Sequence, residues 1–116
     1  MVTSVFTHLL PADAENYVRE IARVTRPGGT CFATFFLLDD ETLRLVAEGR
    51  TTPSFHIDQG TYRTIRNDQP EVAVAHPLSA AEEWFDAAGL TDRTLYPGSW
   101  SGRADFTSYQ DIVIAR

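Results

Sequence analysis

Residues 23–38 constrain the fold more than any other stretch. Arg23-Val24-Thr25-Arg26-Pro27-Gly28-Gly29 closes a helix, and Thr30-Cys31-Phe32-Ala33-Thr34-Phe35-Phe36-Leu37-Leu38 begins at once behind it. Proline cannot continue a helix, and a glycine beyond it supplies the left-handed cap. The segment 30–38 is apolar on both sides of the pleat instead of alternating, which predicts a strand buried on both faces, as in a parallel sheet covered by helices. The step therefore points to an α/β fold.

The flanking sequence extends this pattern. Pro11 suits the first position of a helix, where its missing N–H costs nothing, and Ala14, Tyr17, Val18, Ile21, Ala22 and Thr25 follow a helical stripe. Asp13 and Glu15 in its first turn, with Arg23 and Arg26 in its last, match the helix dipole. A second helix is expected from Asp39 or Asp40 to about Glu48, using Leu43, Val46 and Ala47 and ending at Gly49. Residues 50–70 are polar and rich in turn formers, with short strands expected at 62–65 and 72–75. Ser79 and Glu82 have the spacing of a capping box, which places a third helix behind Ser79 with Ala81, Trp84, Phe85 and Ala88 turned inward and Gly89 at its end. Strands are expected at 91–96 and 107–115. The whole chain reads as one domain with a polar insertion at about 50–76.

Composition narrows the function classes. Sixteen acidic residues against ten basic ones, all arginine, give a net charge of −6, which disfavours non-specific binding to a phosphate backbone. No long uncharged apolar run is present, so no membrane-spanning helix is expected. The N-terminus has no basic region of the kind a signal peptide carries. The single Cys31 lies inside the apolar strand and has no disulfide partner, which fits a reducing, cytoplasmic setting. One cysteine and three scattered histidines lack the spacing of a zinc site, so no metal is expected.

The order of these segments is similar to the C-terminal half of a class I S-adenosylmethionine-dependent methyltransferase. Arg-Val-x-Arg-Pro-Gly-Gly with its apolar strand resembles the step into that family's fifth strand. Ala87-Ala88-Gly89-Leu90 resembles the approach to the sixth, and residues 109–115 resemble the seventh, antiparallel strand. Ser4-Val5-Phe6-Thr7-His8-Leu9-Leu10 looks like the segment just after the fourth. The resemblance implies a partial Rossmann-like sheet with strands equivalent to 5, 7 and 6, flanked by helices. It also implies methyl transfer from S-adenosylmethionine by displacement at the sulfonium methyl carbon, to an acceptor the sequence does not name. Thr25 departs from the apolar residue usual at its position. The larger departure is that no Asp-x-Gly-x-Gly-x-Gly loop is present among the seven glycines, nor an acidic residue on a following strand for the ribose.

Candidate site residues follow from both sources. The resemblance places Phe6, Thr7 and His8 near the cofactor's methionine end or the acceptor, with His8 a candidate proton acceptor; the competing reading has Ser4 or Thr3 capping a short helix, Val5 and Phe6 in the core and His8 on the surface. Asp39 and Asp40 could serve an acceptor or ribose hydroxyl, or simply cap the second helix. Trp100, Phe106 and Tyr109 could wall a substrate or contact a sulfonium, or pack as core. His56 and His76 read as surface or satisfied histidines. Gly98-Ser99-Trp100-Ser101-Gly102 lacks the strand–helix context of a hydrolase elbow.

Two consequences are expected. Without most cofactor contacts, the chain alone should bind S-adenosylmethionine weakly or not at all. With no fourth strand beside it, segment 30–38 should form an open edge, favouring a homo-oligomer by strand pairing or element exchange. A non-catalytic α/β module binding a small molecule or partner is the alternative.

Overall fold

The computed structural model describes residues 2–25, 29–51, 53–102 and 108–116, and of residues 2–4 the backbone alone. Pro27 and Gly28 of the helix stop, Phe106 of the aromatic loop and Thr107 of the last expected strand lie outside the described residues.

Among the described residues, eight strands and three α-helices form an α/β fold with two mixed sheets. The strands are β1 (Val2–Val5), β2 (Cys31–Phe35), β3 (Leu37–Leu38), β4 (Ile57–Asp58), β5 (Arg63–Thr64), β6 (Val74–Pro77), β7 (Arg93–Tyr96) and β8 (Asp111–Ala115). The helices are α1 (Pro11–Val24), α2 (Asp40–Ala47) and α3 (Leu78–Ala87). The first sheet has the order β1-β2-β8-β7, with β1 parallel to β2 and β8 antiparallel to both of its neighbours. The second has the order β3-β6-β5-β4, with β3 and β6 parallel.

Helix α1 begins where Pro11 places it and presents Ala14, Val18 and Ile21 to the sheet. Helix α3 adds Ala81 and Phe85 on the same side, and together they cover Cys31, Ala33, Phe35, Val113 and Ala115. The expectation that segment 30–38 is buried on both faces holds only for its second half. In β2 Cys31, Ala33 and Phe35 are buried, whereas Phe32 and Thr34 are half-buried. Phe32 is in register with Thr3 and Ile114 and Thr34 with Val5 and Ile112, and Thr94 and Tyr96 of β7 lie opposite Ile114 and Ile112. No charged residue occupies any of these positions.

The apolar run is also not one strand. It breaks at Phe36, where the chain leaves the first sheet and continues as β3 in the second. The supposed polar insertion supplies the rest of that sheet: β4, β5 and β6 pair in sequence, and β6 returns beside β3. Phe36, Leu38, Phe55, Ala73, Ala75 and Trp100 form a second apolar core there.

Three further expectations are corrected. Residues 2–5 are a strand, so neither Thr3 nor Ser4 caps a helix, and β2 is not an open edge: β1 fills that side and β8 the other. Among the described residues the one-sided strand of this sheet at that end is β1. Helix α3 starts at Leu78 behind Pro77, with no side-chain cap, because β6 leads straight into it; Ser79 is already helical and forms no capping box. Helix α2 does carry one, but with Asp39 as cap and Thr42 as its reciprocal partner. It buries Leu45 and Val46 while Leu43 is exposed. Glycines 49 and 89, at φ +72° and +82°, follow α2 and α3 as expected. No helix among the described residues is long and apolar enough to cross a membrane.

Candidate functional site

Ligands of open α/β sheets collect beyond the carboxyl ends of the parallel strands. Two such ends occur here, at the turn leaving β1 and at the paired ends of β3 and β6.

The turn after β1 holds Phe6, Thr7 and His8. Phe6 is fully buried, stacked on Phe35 at 4.4 Å between ring centroids and edge-on to Tyr17 at 5.4 Å. Such ring pairs contribute about 0.5–1.5 kcal/mol beyond the burial of their area, so Phe6 anchors the turn. The Thr7 carbonyl accepts the Val74 N–H at 2.8 Å, and its hydroxyl is buried with no hydrogen-bond partner. His8 is exposed, with Nδ1 3.1 Å from the Glu71 carbonyl oxygen. Of the three, His8 alone presents its side chain to solvent.

His76, expected to be a surface or satisfied histidine, is neither. It is 0% exposed, and neither ring nitrogen has a hydrogen-bond partner. Trp84 and Phe35 meet its ring edge-on at 5.1 and 6.3 Å. Burial pulls its pKa down to about 4, against a smaller opposing effect of the Leu9 and Phe6 backbone. The sequence signal was present: His76 is two residues from Val74 in a β run and so shares its buried face.

At the ends of β3 and β6 lies a cavity of about 430 Å³, with Leu38, Leu43, Pro77 and Leu78 as apolar lining and Asp39, Asp40, Ser79 and Glu82 as polar lining. The N-termini of α2 and α3 both open onto it. Asp39 Oδ1 accepts the Thr42 N–H at 2.9 Å while the Thr42 hydroxyl accepts the Asp39 N–H at 2.7 Å, so Asp39 has the capping role expected as one of its two readings. Asp40 is exposed in the first turn.

The aromatic candidates divide. Trp100 is buried among Phe36 and Phe55, with ring centroids at 5.3 and 5.4 Å. Its Nε1–H donates to Asp111 Oδ2 at 2.9 Å. Tyr109 is 49% exposed and meets Phe36 edge-on at 6.0 Å; partial burial raises its pKa. His56 is exposed, its Nδ1 3.2 Å from the Ser54 carbonyl oxygen. Sequence reasoning gave Asp111 no role, yet its buried carboxylate also accepts the Leu37 N–H at 2.8 Å and the Gly98 N–H at 2.6 Å. An acidic residue opening the apolar run Ile112-Val113-Ile114 was the available signal.

The structure thus brings Phe6, Thr7 and His76 together, and separately Trp100, Tyr109 and Phe36. Neither group lines the cavity at β3 and β6. Among the described residues no cluster of His, Cys, Asp or Glu could hold a metal ion. No family model matches the chain, and no solved structure matches it significantly.

Proposed function

We propose that this chain is the C-terminal portion of a class I S-adenosylmethionine-dependent methyltransferase, contributing half of a sheet whose parent activity is methyl transfer to an unidentified acceptor. One observation carries the reading: the order β1-β2-β8-β7, parallel across its first pair and antiparallel across the other two. In the family the fifth strand lies between the fourth and the seventh, and the seventh runs antiparallel. If β1 is the fourth strand, β2, β8 and β7 stand as fifth, seventh and sixth. Packing of α1 and α3 on one face of the sheet supports the same assignment.

The residues present do not fit the cofactor by themselves. Phe6 and the Thr7 hydroxyl are enclosed in protein, and the described glycines with positive φ are the dispersed residues 49, 60, 89 and 102, which form no phosphate- or adenosine-type cradle. No catalytic step is therefore derived for the isolated chain. Calorimetric titration with S-adenosylmethionine is expected to give no saturable heat; tight one-to-one binding would overturn the reading that the cofactor site is supplied elsewhere. The family assignment has its own test. Coding DNA upstream of Met1 should encode, in frame, an apolar strand followed by a glycine-rich loop, and an immediate in-frame stop refutes it. Self-association belongs to this reading as well, transferred from segment 30–38 to the one-sided strand β1. Light scattering of a concentrated solution giving only the 13.0 kDa monomer would refute that part.

The cavity at the ends of β3 and β6 favours the second reading, a small-molecule-binding α/β module without catalysis. Ligand-induced shifts of Leu43 and Leu78 amides, without turnover, would favour it over the first.

A further inference from the structure

The turn at residues 6–9 is fastened to strand β6 at two points. The Val74 N–H donates to the Thr7 carbonyl at 2.8 Å, and two residues further along β6 the His76 ring sits in the core beside the backbone of Phe6 and Leu9. The Phe6 carbonyl already accepts the Leu9 N–H at 3.3 Å. The ring of His76 is otherwise surrounded by Phe35, Trp84 and its register partner Leu37. Two polar groups, the imidazole and the Thr7 hydroxyl, are buried here without a well-formed hydrogen bond, and the Phe6 and Leu9 backbone offsets only part of the cost of charging the ring. Buried polar groups left unpaired weaken a packing interface, and one that can acquire a full charge weakens it far more.

No charged group is placed to receive that charge. On the turn, His8 is exposed and directed at the Glu71 carbonyl. Segment 31–38 brings only apolar residues and threonines. On α3 the acidic residues Glu82, Glu83 and Asp86 are exposed, and Asp86 is paired with Arg93 at 2.7 Å. On α1 the buried residues are Ala14, Val18 and Ile21. On neighbouring β5, Arg63 is turned to the Phe55 carbonyl at 3.3 Å and to Asp58 at 3.6 Å.

We propose that His76 is an acid-sensitive latch: protonation of its ring releases the turn at residues 6–9, carrying Thr7 and His8, from strand β6. The closed state holds the neutral ring, with a pKa of about 4, while a ring exposed by opening returns to the ordinary 6.5. The open state therefore binds more protons between these values. Closure is fully stable above 6.5, weakens as pH falls from 6.5 towards 4, and does not weaken further below. Between pH 7.5 and 5 the opening equilibrium rises about 30-fold, by proton linkage of one site between two states. The latch operates whatever the turn binds and does not rest on the methyltransferase reading.

Amide hydrogen exchange, corrected for the intrinsic pH dependence, reads this directly. Protection of Val74 and Leu9 should be lower than that of Ala33 in β2 and fall about 30-fold from pH 7.5 to 5, while Ala33 keeps its protection. In His76→Phe, and in His76→Gln should the first fold poorly, the fall should vanish; in His8→Gln it should remain. Three results would overturn the proposal: protection of Val74 and Leu9 that is flat over this range, a fall that persists without His76, or protection lost at Val74 and Leu9 only together with global unfolding.

Discussion

Replacing Asp111 by asparagine tests the junction between the two sheets. The carboxylate is 4% exposed and, among the described residues, accepts N–H groups from distant segments: Leu37 and Trp100 at Oδ2, Gly98 at Oδ1. It takes the Leu37 N–H where the strand changes sheets, so the backbone there is satisfied by a side chain instead of a ladder. Asparagine is nearly isosteric but has one oxygen and one NH2 group. In its better orientation the oxygen keeps Leu37 and Trp100, and the NH2 faces the Gly98 N–H, donor against donor. Hydrogen bonds to charged groups contribute about 1.5–3 kcal/mol, and a buried donor left unmet costs about 1–3 kcal/mol. Relief of the cost of burying a charge offsets part of this. The expected loss is about 2–4 kcal/mol, a large fraction of the ~5–15 kcal/mol typical of a domain. Urea unfolding followed by Trp100 fluorescence, with Trp84→Phe as background, measures it. For a slope of about 1.5 kcal/mol per M the midpoint should drop by roughly 1.3–2.7 M. A midpoint within about 0.3 M of the parent, at unchanged slope, would refute the argument.

Other perturbations have equally definite outcomes. A Cβ on Gly98 would lie 2.5 Å from the Tyr109 carbonyl oxygen and 2.6 Å from that of Gln110, so Gly98→Ala should push the segment leading into β8 away and cost about 1–3 kcal/mol as overpacking; equal thermal stability of the two proteins would contradict the close approach. Asp39→Ala removes the side chain that caps α2 and should cost about 1 kcal/mol, whereas Asp40→Ala, exposed in the first turn, should cost about 0.3 kcal/mol; calorimetric melting showing the reverse order would dismiss the capping box. Trp100→Phe should destabilise by several kcal/mol, since it leaves a void in the second core and frees one acceptor of Asp111; a neutral result would contradict its place in that core.

The three helices were legible because each displays a period of 3.6 over at least two turns. Long-range pairing decided the rest. Strand β5 falls within the short strand expected at 62–65, but β4, with two residues, is too short to show any alternation and is fixed by its pairing with β5, which β6 in turn flanks. Ser79 and Glu82 satisfied a local capping rule, but the pairing of Leu38 with Pro77 fixes the end of β6 and starts the helix earlier. Nothing within residues 30–38 marks the break at Phe36; just beyond it the Leu37 N–H is taken by a carboxylate 74 residues away in sequence. The candidate site was legible only as a place. Phe6, Thr7 and His8 do stand at the carboxyl end of a parallel strand, but whether a side chain faces water or core depends on partners such as Glu71, Phe35 and His76.

Because β8 lies between β2 and β7, the order of synthesis matters. Strands β1 and β2 can pair as soon as both have left the ribosome. Strand β7 cannot join them: among the described residues it pairs in this sheet with β8 alone, which begins at Asp111, well after β7 ends at Tyr96. At ~5–20 residues per second, β7 waits about one to three seconds as an unpaired segment with Leu95 and Tyr96 exposed. That interval, and not the finished fold, is where a chaperone or a neighbouring nascent chain would compete for this protein.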